Sequence, residues 1–103
     1  MLIVMSVRYP FIATYMMANR RYGYIYLGCS NDLRRRAWEH RELLLDGYTK
    51  EHLCTRLVWF QPHEFMTAAV RQELTMKHWK REWKINLIER ENPFWEDLYA
   101  SLA

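Results

Sequence analysis

The chain has 103 residues, half of them apolar and 16% aromatic, which is enough for one compact core and too little for two domains. No apolar run approaches the roughly 20 residues a membrane-spanning helix needs, and a formal net charge of +3 is too mild to single out a polyanion partner. The two cysteines, Cys29 and Cys54, lack metal-pair spacing and nothing suggests secretion, so reduced thiols and a cytoplasmic setting are expected.

Residues 1–10 begin Met1-Leu2-Ile3-Val4-Met5, too short for the apolar core of a secretory signal. They are expected to form a tail ahead of a single domain over residues 11–103. Phe11 to Met17 and Tyr24 to Cys29 read as strands, rich in aromatic and β-branched residues. The polar segment Ala18 to Gly23 between them reads as a hairpin loop. With the turn centred between Arg20 and Arg21, Tyr15 stands opposite Tyr26, and both phenols point the same way. A one-residue slip would place them on opposite faces.

Ser30-Asn31-Asp32 offers side-chain oxygens to cap a helix that is expected to run to about Leu45, with Asp46-Gly47 ending it. Leu33, Ala37 and Leu44 form its apolar stripe. Arg36 and His40 lie four apart on one side, His40 close to the stripe and Arg36 at its edge. Gly47 to Thr55 reads as a polar connection, and Arg56 to Gln61 as a third strand stopped by Pro62. Phe65 to Glu91 reads as helical with a break near Trp79, its apolar face carried by Val70, Leu74, Trp79, Trp83 and Leu87. Asn92-Pro93 ends it, and a last turn is expected between Trp95 and Leu102. The fold class is α+β, a β-β-α-β-α-α chain with a three-stranded antiparallel sheet and helices packed on it.

Within that frame Tyr15, Tyr26, Arg36, His40 and Glu73 suit cleavage of a phosphodiester. The substrate is anionic and resists attack, so catalysis needs a clamp on the phosphate, an activated water and a stabilised leaving oxygen. Arg36 can hold phosphate bidentately. Glu73 can bind a hard ion such as Mg²⁺, which needs only one or two carboxylates beside water and phosphate oxygens. A tyrosine can take a proton from water, with His40 orienting the phenol or taking over its proton. Singly, each residue has a duller reading: strand tyrosines pack, surface arginines are solvated, and mid-helix glutamates face water. A zinc set of Cys29, His40, His52 and Cys54 fits no common ligand spacing.

Tyr15, then Tyr26-Leu27-Gly28, then Asp32-Leu33 with Arg36, then His40 resembles the GIY-YIG nuclease superfamily, and its small stand-alone bacterial branch most closely. Leu57 to Phe60, Ala68-Ala69-Val70, Lys77 to Arg81 and the ending Leu87 to Leu98 also fit that branch. The resemblance implies a metal-dependent endonuclease acting on DNA, with branched or repair substrates among its targets. It implies Tyr15 as general base, Tyr26 as base or positioning group, Arg36 on the scissile phosphate and His40 as the assisting group. Glu73 would hold Mg²⁺ or Mn²⁺, and Asn92 stands for a late asparagine near the site. Lys77, Lys80 and Arg81 would contact the nucleic-acid backbone, adding affinity without sequence choice. The chain departs from the family in four places. Ala13-Thr14-Tyr15 replaces Gly-Ile-Tyr, Gln72-Glu73-Leu74 replaces Arg-Glu-Lys, Cys29 stands where some repair nucleases carry lysine, and His52 stands where the branch carries tyrosine. The lost cations beside Glu73 support the alternative, a catalytically silent nucleic-acid-binding module. A protein-interaction adaptor is a further rival.

Overall fold

The computed structural model describes residues 11–102, so the expected tail over residues 1–10 lies outside the described residues. Strands β1 (Ala13–Ala18), β2 (Ile25–Ser30) and β3 (Arg56–Pro62) form one antiparallel sheet in the order β2-β1-β3. The helices are α1 (Leu33–Arg41), a short α2 (Tyr48–Glu51), α3 (Met66–Met76) and α4 (Arg81–Glu91), followed by a 3-10 turn over Leu98–Leu102. The expected α+β architecture is present, with α2 added inside the segment read as a plain connection.

Central strand β1 is buried along its whole length because both faces are covered. On one face Ala13, Tyr15 and Met17 pack with Leu33 and Ala37 of α1, Leu57 and Leu102. On the other, Met16 and Ala18 pack with Val58, Trp59, Met76 of α3, Ile88 of α4 and Trp95. Alternation along β1 thus sorts the core into two halves. A bulge opposite Met16 and Met17 inserts one extra residue into β3. It lets adjacent Val58 and Trp59 both serve the second half while Leu57 and Phe60 serve the first.

The hairpin register differs from expectation. Tyr15 pairs with Gly28 and Met17 with Tyr26, so the turn centres between Arg21 and Tyr22. Asn19 Oδ1 accepts the Tyr24 amide at 2.7 Å, and Arg81 donates to the carbonyls of Tyr22 and Gly23, which holds the loop one position later. The resulting slip is two residues, an even number. Tyr15 and Tyr26 keep a common face but sit diagonally rather than opposite.

Two helix readings are corrected. Helix α1 ends at Arg41, not near Leu45, and Leu44 is exposed. Leu43, at φ 58°, takes the left-handed site more often given to glycine. The Leu44 amide then bonds Glu39 O and the Leu43 amide bonds His40 O, the paired bonds of a Schellman close. Leu53 ends α2 the same way. In α3 the buried positions are Ala69 and Met76, whereas Val70 and Leu74 are exposed. Small Ala69 lets the helix approach β1 closely enough for the Thr14 hydroxyl to donate to its carbonyl at 2.9 Å. That rotation puts Glu73, between Ala69 and Met76 on the same stripe, against the sheet. Trp83 of α4 is also exposed, and Ile88 is buried in its place.

Asn92 terminates α4, donating to Val58 O and Glu96 O and accepting the Glu96 amide. It is buried, so its removal leaves polar backbone groups unpaired. Asn92→Ala should destabilise the protein by about 2–3 kcal/mol, read as a lower urea midpoint with an unchanged m-value. A loss below about 0.5 kcal/mol would mean that water replaces the amide at no cost.

Candidate active site

Four of the five expected residues converge on the α1 face of the sheet. Tyr15 comes from β1, Tyr26 from edge strand β2, and Arg36 and His40 from α1. Successive turns of α1 aim both of its side chains at the strands. His40 is buried, and Arg36 remains partly exposed at the edge. The rings form a continuous cluster, with Tyr15, Tyr26 and His40 centroids 5.5–6.2 Å apart.

At its centre is a chain of buried hydrogen bonds. The Tyr15 hydroxyl lies 2.9 Å from His40 Nε2, and His40 Nδ1 lies 3.1 Å from Thr49 Oγ1. Both ring nitrogens are therefore satisfied. Burial, reinforced by the Arg36 charge, lowers the His40 pKa from 6.5 to about 4, so the imidazole is neutral at physiological pH. Burial and the neighbouring Tyr26 raise the Tyr15 pKa, with Arg36 pulling the other way, so that phenol keeps its proton. Thr49 belongs to the short helix α2, and sequence reading missed it. A lone threonine in a polar connection carries no signal until α2 folds back against His40.

Gly28 has a direct role in this packing. It pairs with Tyr15 across the ladder. A Cβ there would lie 2.9 Å from the Tyr15 hydroxyl and Cζ and 2.9 Å from Tyr26 Cε2. Only hydrogen fits between the two phenols without displacing them.

Glu73 is placed differently from the other four. It comes from α3, on the opposite face of the sheet, and meets β2 at Cys29, whose thiol donates to Glu73 Oε1 at 3.0 Å. Lys77 Nζ lies 3.6 Å from Glu73 Oε2. Burial and the Glu73 contact push the Cys29 thiol up to about 12. The Tyr26 pKa is raised by burial and then by the Glu73 charge, and lowered by Arg36. Tyr26 and Cys29 on edge strand β2 therefore lie between the Arg36 and Glu73 charges, and the site wraps around that edge.

The remaining expected residues are dispersed. Lys77 is paired with Glu73, Lys80 lies over the Trp83 ring at 5.8 Å, and Arg81 is committed to the hairpin carbonyls. The Asn92 side chain makes its hydrogen bonds to Val58 and Glu96 and none to the cluster. Among the described residues no group of three or more His, Cys, Asp or Glu converges on one point. Glu73 could serve a metal ion as a lone carboxylate ligand, a donor set that would suit a hard ion completing its shell with water and phosphate oxygens.

The family model for the GIY-YIG catalytic domain matches residues 11–86. The chain belongs to the GIY-YIG family. Comparisons with the curated proteins and with the solved structures returned no match. GIY-YIG membership brings nuclease-type chemistry on nucleic acids, generally metal-dependent, and agrees with the three-stranded antiparallel sheet and its flanking helices. No helix among the described residues is long and apolar enough to cross a membrane.

Two outcomes test this GIY-YIG site as a packed unit. Gly28→Ala should lower stability by about 1–3 kcal/mol through overpacking against the phenols, measured by thermal unfolding. An unchanged midpoint would mean that Tyr15 and Tyr26 swing apart freely. The second outcome concerns pH. The folded-state pKa of His40 lies below its usual 6.5, so below that pH the unfolded chain binds a proton that the folded protein excludes. The resulting stability is complete above pH 6.5 and is lost as pH falls toward 4. Wild type should lose about 2 kcal/mol more than His40→Gln between about pH 6.5 and pH 5. Parallel urea midpoints across that window would show that His40 titrates normally.

Proposed function

We propose that this protein is a metal-dependent endonuclease that hydrolyses phosphodiester bonds in DNA, with Mg²⁺ or Mn²⁺ at Glu73, branched or repair structures among its substrates and the cytoplasm as its setting. The observation that carries the reading is the buried Tyr15–His40–Thr49 chain, which gives a phenol its own neutral proton acceptor.

Arg36 holds the scissile phosphate. Its Nε donates to Glu39 Oε1 at 3.2 Å, which fixes the guanidinium at the α1 edge beside the phenols. With the Nδ1–H of His40 donating to Thr49, Nε2 is left as a lone-pair acceptor for the Tyr15 proton. Tyr15 takes a proton from the attacking water as it gives its own to His40. Burial opposes a lasting phenolate, and burial with the Arg36 charge equally opposes a lasting imidazolium, so His40 would pass its proton on to the leaving oxygen as the P–O bond breaks. Gly28 keeps the two phenols from being pushed apart. Tyr26 has no comparable acceptor among the described residues and serves as a positioning group between Arg36 and Glu73. A divalent ion on Glu73 would supply positive charge to the phosphate oxygens. Lys77, Lys80 and Arg81 would add backbone affinity, Arg81 through whatever donor capacity the hairpin leaves. Asn92 is assigned to the fold rather than to the reaction.

A second reading, a nucleic-acid-binding module that no longer cuts, is favoured by the engagement of both Glu73 oxygens with Cys29 and Lys77. The two are separated by incubating purified protein with Mg²⁺ or Mn²⁺ and single-stranded, duplex, flap and branched DNA, with RNA in parallel. Wild type should cut, Tyr15→Phe and His40→Gln should cut about 10²–10⁴-fold more slowly, and Glu73→Ala should bind without cutting. Cutting by Glu73→Ala at the wild-type rate would end the metal assignment. Binding without product from wild type on every substrate would establish the second reading.

A further inference from the structure

The catalytic rings do not end at Tyr26. From Tyr26 the aromatic cluster continues outward to Tyr48 of α2 at 6.2 Å. Tyr48 lies 4.4 Å from the His52 ring, and His52 stacks on Tyr24 at 4.2 Å with 29° between planes. Tyr24 meets Tyr48 edge-on at 84°. Tyr24 precedes β2 and shares the face of Tyr26 by alternation. Four elements thus supply one aromatic ladder that starts in the buried Tyr15–His40 pair and ends at the surface.

The outer rings are unusually open for tyrosines in mutual contact. Tyr24 is 51% exposed and Tyr48 43% exposed. Single exposed aromatics need no explanation, but a contiguous set continuous with a reaction site does. Tyr24, Tyr48 and His52 belong to neither half of the core, and Tyr26 packs against the first. The cation beside the patch, Arg81, is committed to the Tyr22 and Gly23 carbonyls, Lys50 pairs with Asp46, and Glu51 lies beside His52. The patch offers π faces rather than charge. Nucleobases stack on such faces whatever their identity. A base in a duplex has both faces covered by its neighbours, so only an unpaired base can use them.

We propose that Tyr24, Tyr48 and His52 form a stacking platform for an unpaired nucleobase next to the phosphate held at Arg36. This rests on the nuclease-site reading for its direction and names the substrate class: single-stranded nucleic acid, or the unpaired segment of a flap or branch. Arg36 fixes the backbone, and the platform admits strands whose bases are free to splay.

The test uses full-length protein carrying Glu73→Ala, so that binding is read without cleavage. The probes are DNA and RNA oligonucleotides with one 2-aminopurine, single-stranded or in a blunt duplex of equal length. Single strands should bind at least tenfold more tightly than duplex, with 2-aminopurine quenched on binding. Tyr24→Leu and Tyr48→Leu should each weaken single-strand binding by roughly tenfold, leave duplex binding unchanged and remove the quench. Tyr24→Phe and Tyr48→Phe should restore both, because the ring face and not the hydroxyl is used. Circular dichroism checks that the leucine variants fold. Equal losses on single strands and duplex, or leucine variants that bind and quench like the parent, would overturn the platform. Cleavage by the protein with intact Glu73 is scored separately. A protein that cuts but shows no ring dependence keeps the active site and loses the platform, whereas ring-dependent binding without cutting does the reverse.

Discussion

A buried imidazole must find a partner for each ring nitrogen, and in this protein that requirement joins three separate elements. His40 on α1 reaches Tyr15 on the central strand and Thr49 on α2. An unmade bond at either nitrogen would cost on the order of 1–3 kcal/mol, a large share of the stability of a small domain. The same pair of bonds sets the α1 distance from the sheet and holds α2, a helix of four residues, in place. Because burial and the Arg36 charge oppose its protonation, the imidazole stays neutral. The constraint that organises the fold on this face is therefore also the one that suits acid–base work.

The opposite face is organised by close approach rather than by polar pairing. Ala69 brings α3 near enough to β1 for the Thr14 hydroxyl to bond its carbonyl. Glu73 follows on the same stripe and is held against Cys29. The two halves of the site consequently meet only around edge strand β2. A strand with one free edge can present side chains from both faces to the same ligand, which an interior strand cannot. The sheet order β2-β1-β3 makes β2 that strand. Lys77 places a positive charge 3.6 Å from the carboxylate.

Much of this was legible from residue order. Strand alternation put Tyr15 and Tyr26 on a common face, and helical spacing stacked Arg36 with His40, because both periodicities are local properties of the backbone. The register differs by two residues from the one local turn rules predict because the loop is held by Arg81, almost sixty positions away. The ends of α1 and α2 were hidden because Leu43 and Leu53 occupy left-handed sites that sequence rules reserve for glycine. The buried face of α3 was misread because the largest apolar residues, Val70 and Leu74, are not the ones that pack. A small residue at the contact mattered more than hydrophobicity. Thr49 and Tyr48 carry no signal in a polar connection, while Tyr24 reads only as the start of a strand and His52 only as a departure from the family's tyrosine, because nothing local shows that these rings meet.

The sequence by itself determined the α+β class, the element order but for one short helix, and the family, because these follow from local periodicity and from the ordered set Tyr15, Tyr26, Arg36 and His40. Only the tertiary structure decided that His40 is neutral, that Gly28 is needed for its missing Cβ, and that Glu73 approaches from the other side of the sheet. The physical reason is common to all three. Desolvation, steric exclusion and cross-face proximity depend on what lies within a few ångströms in space, and that neighbourhood is assembled from residues far apart in the chain.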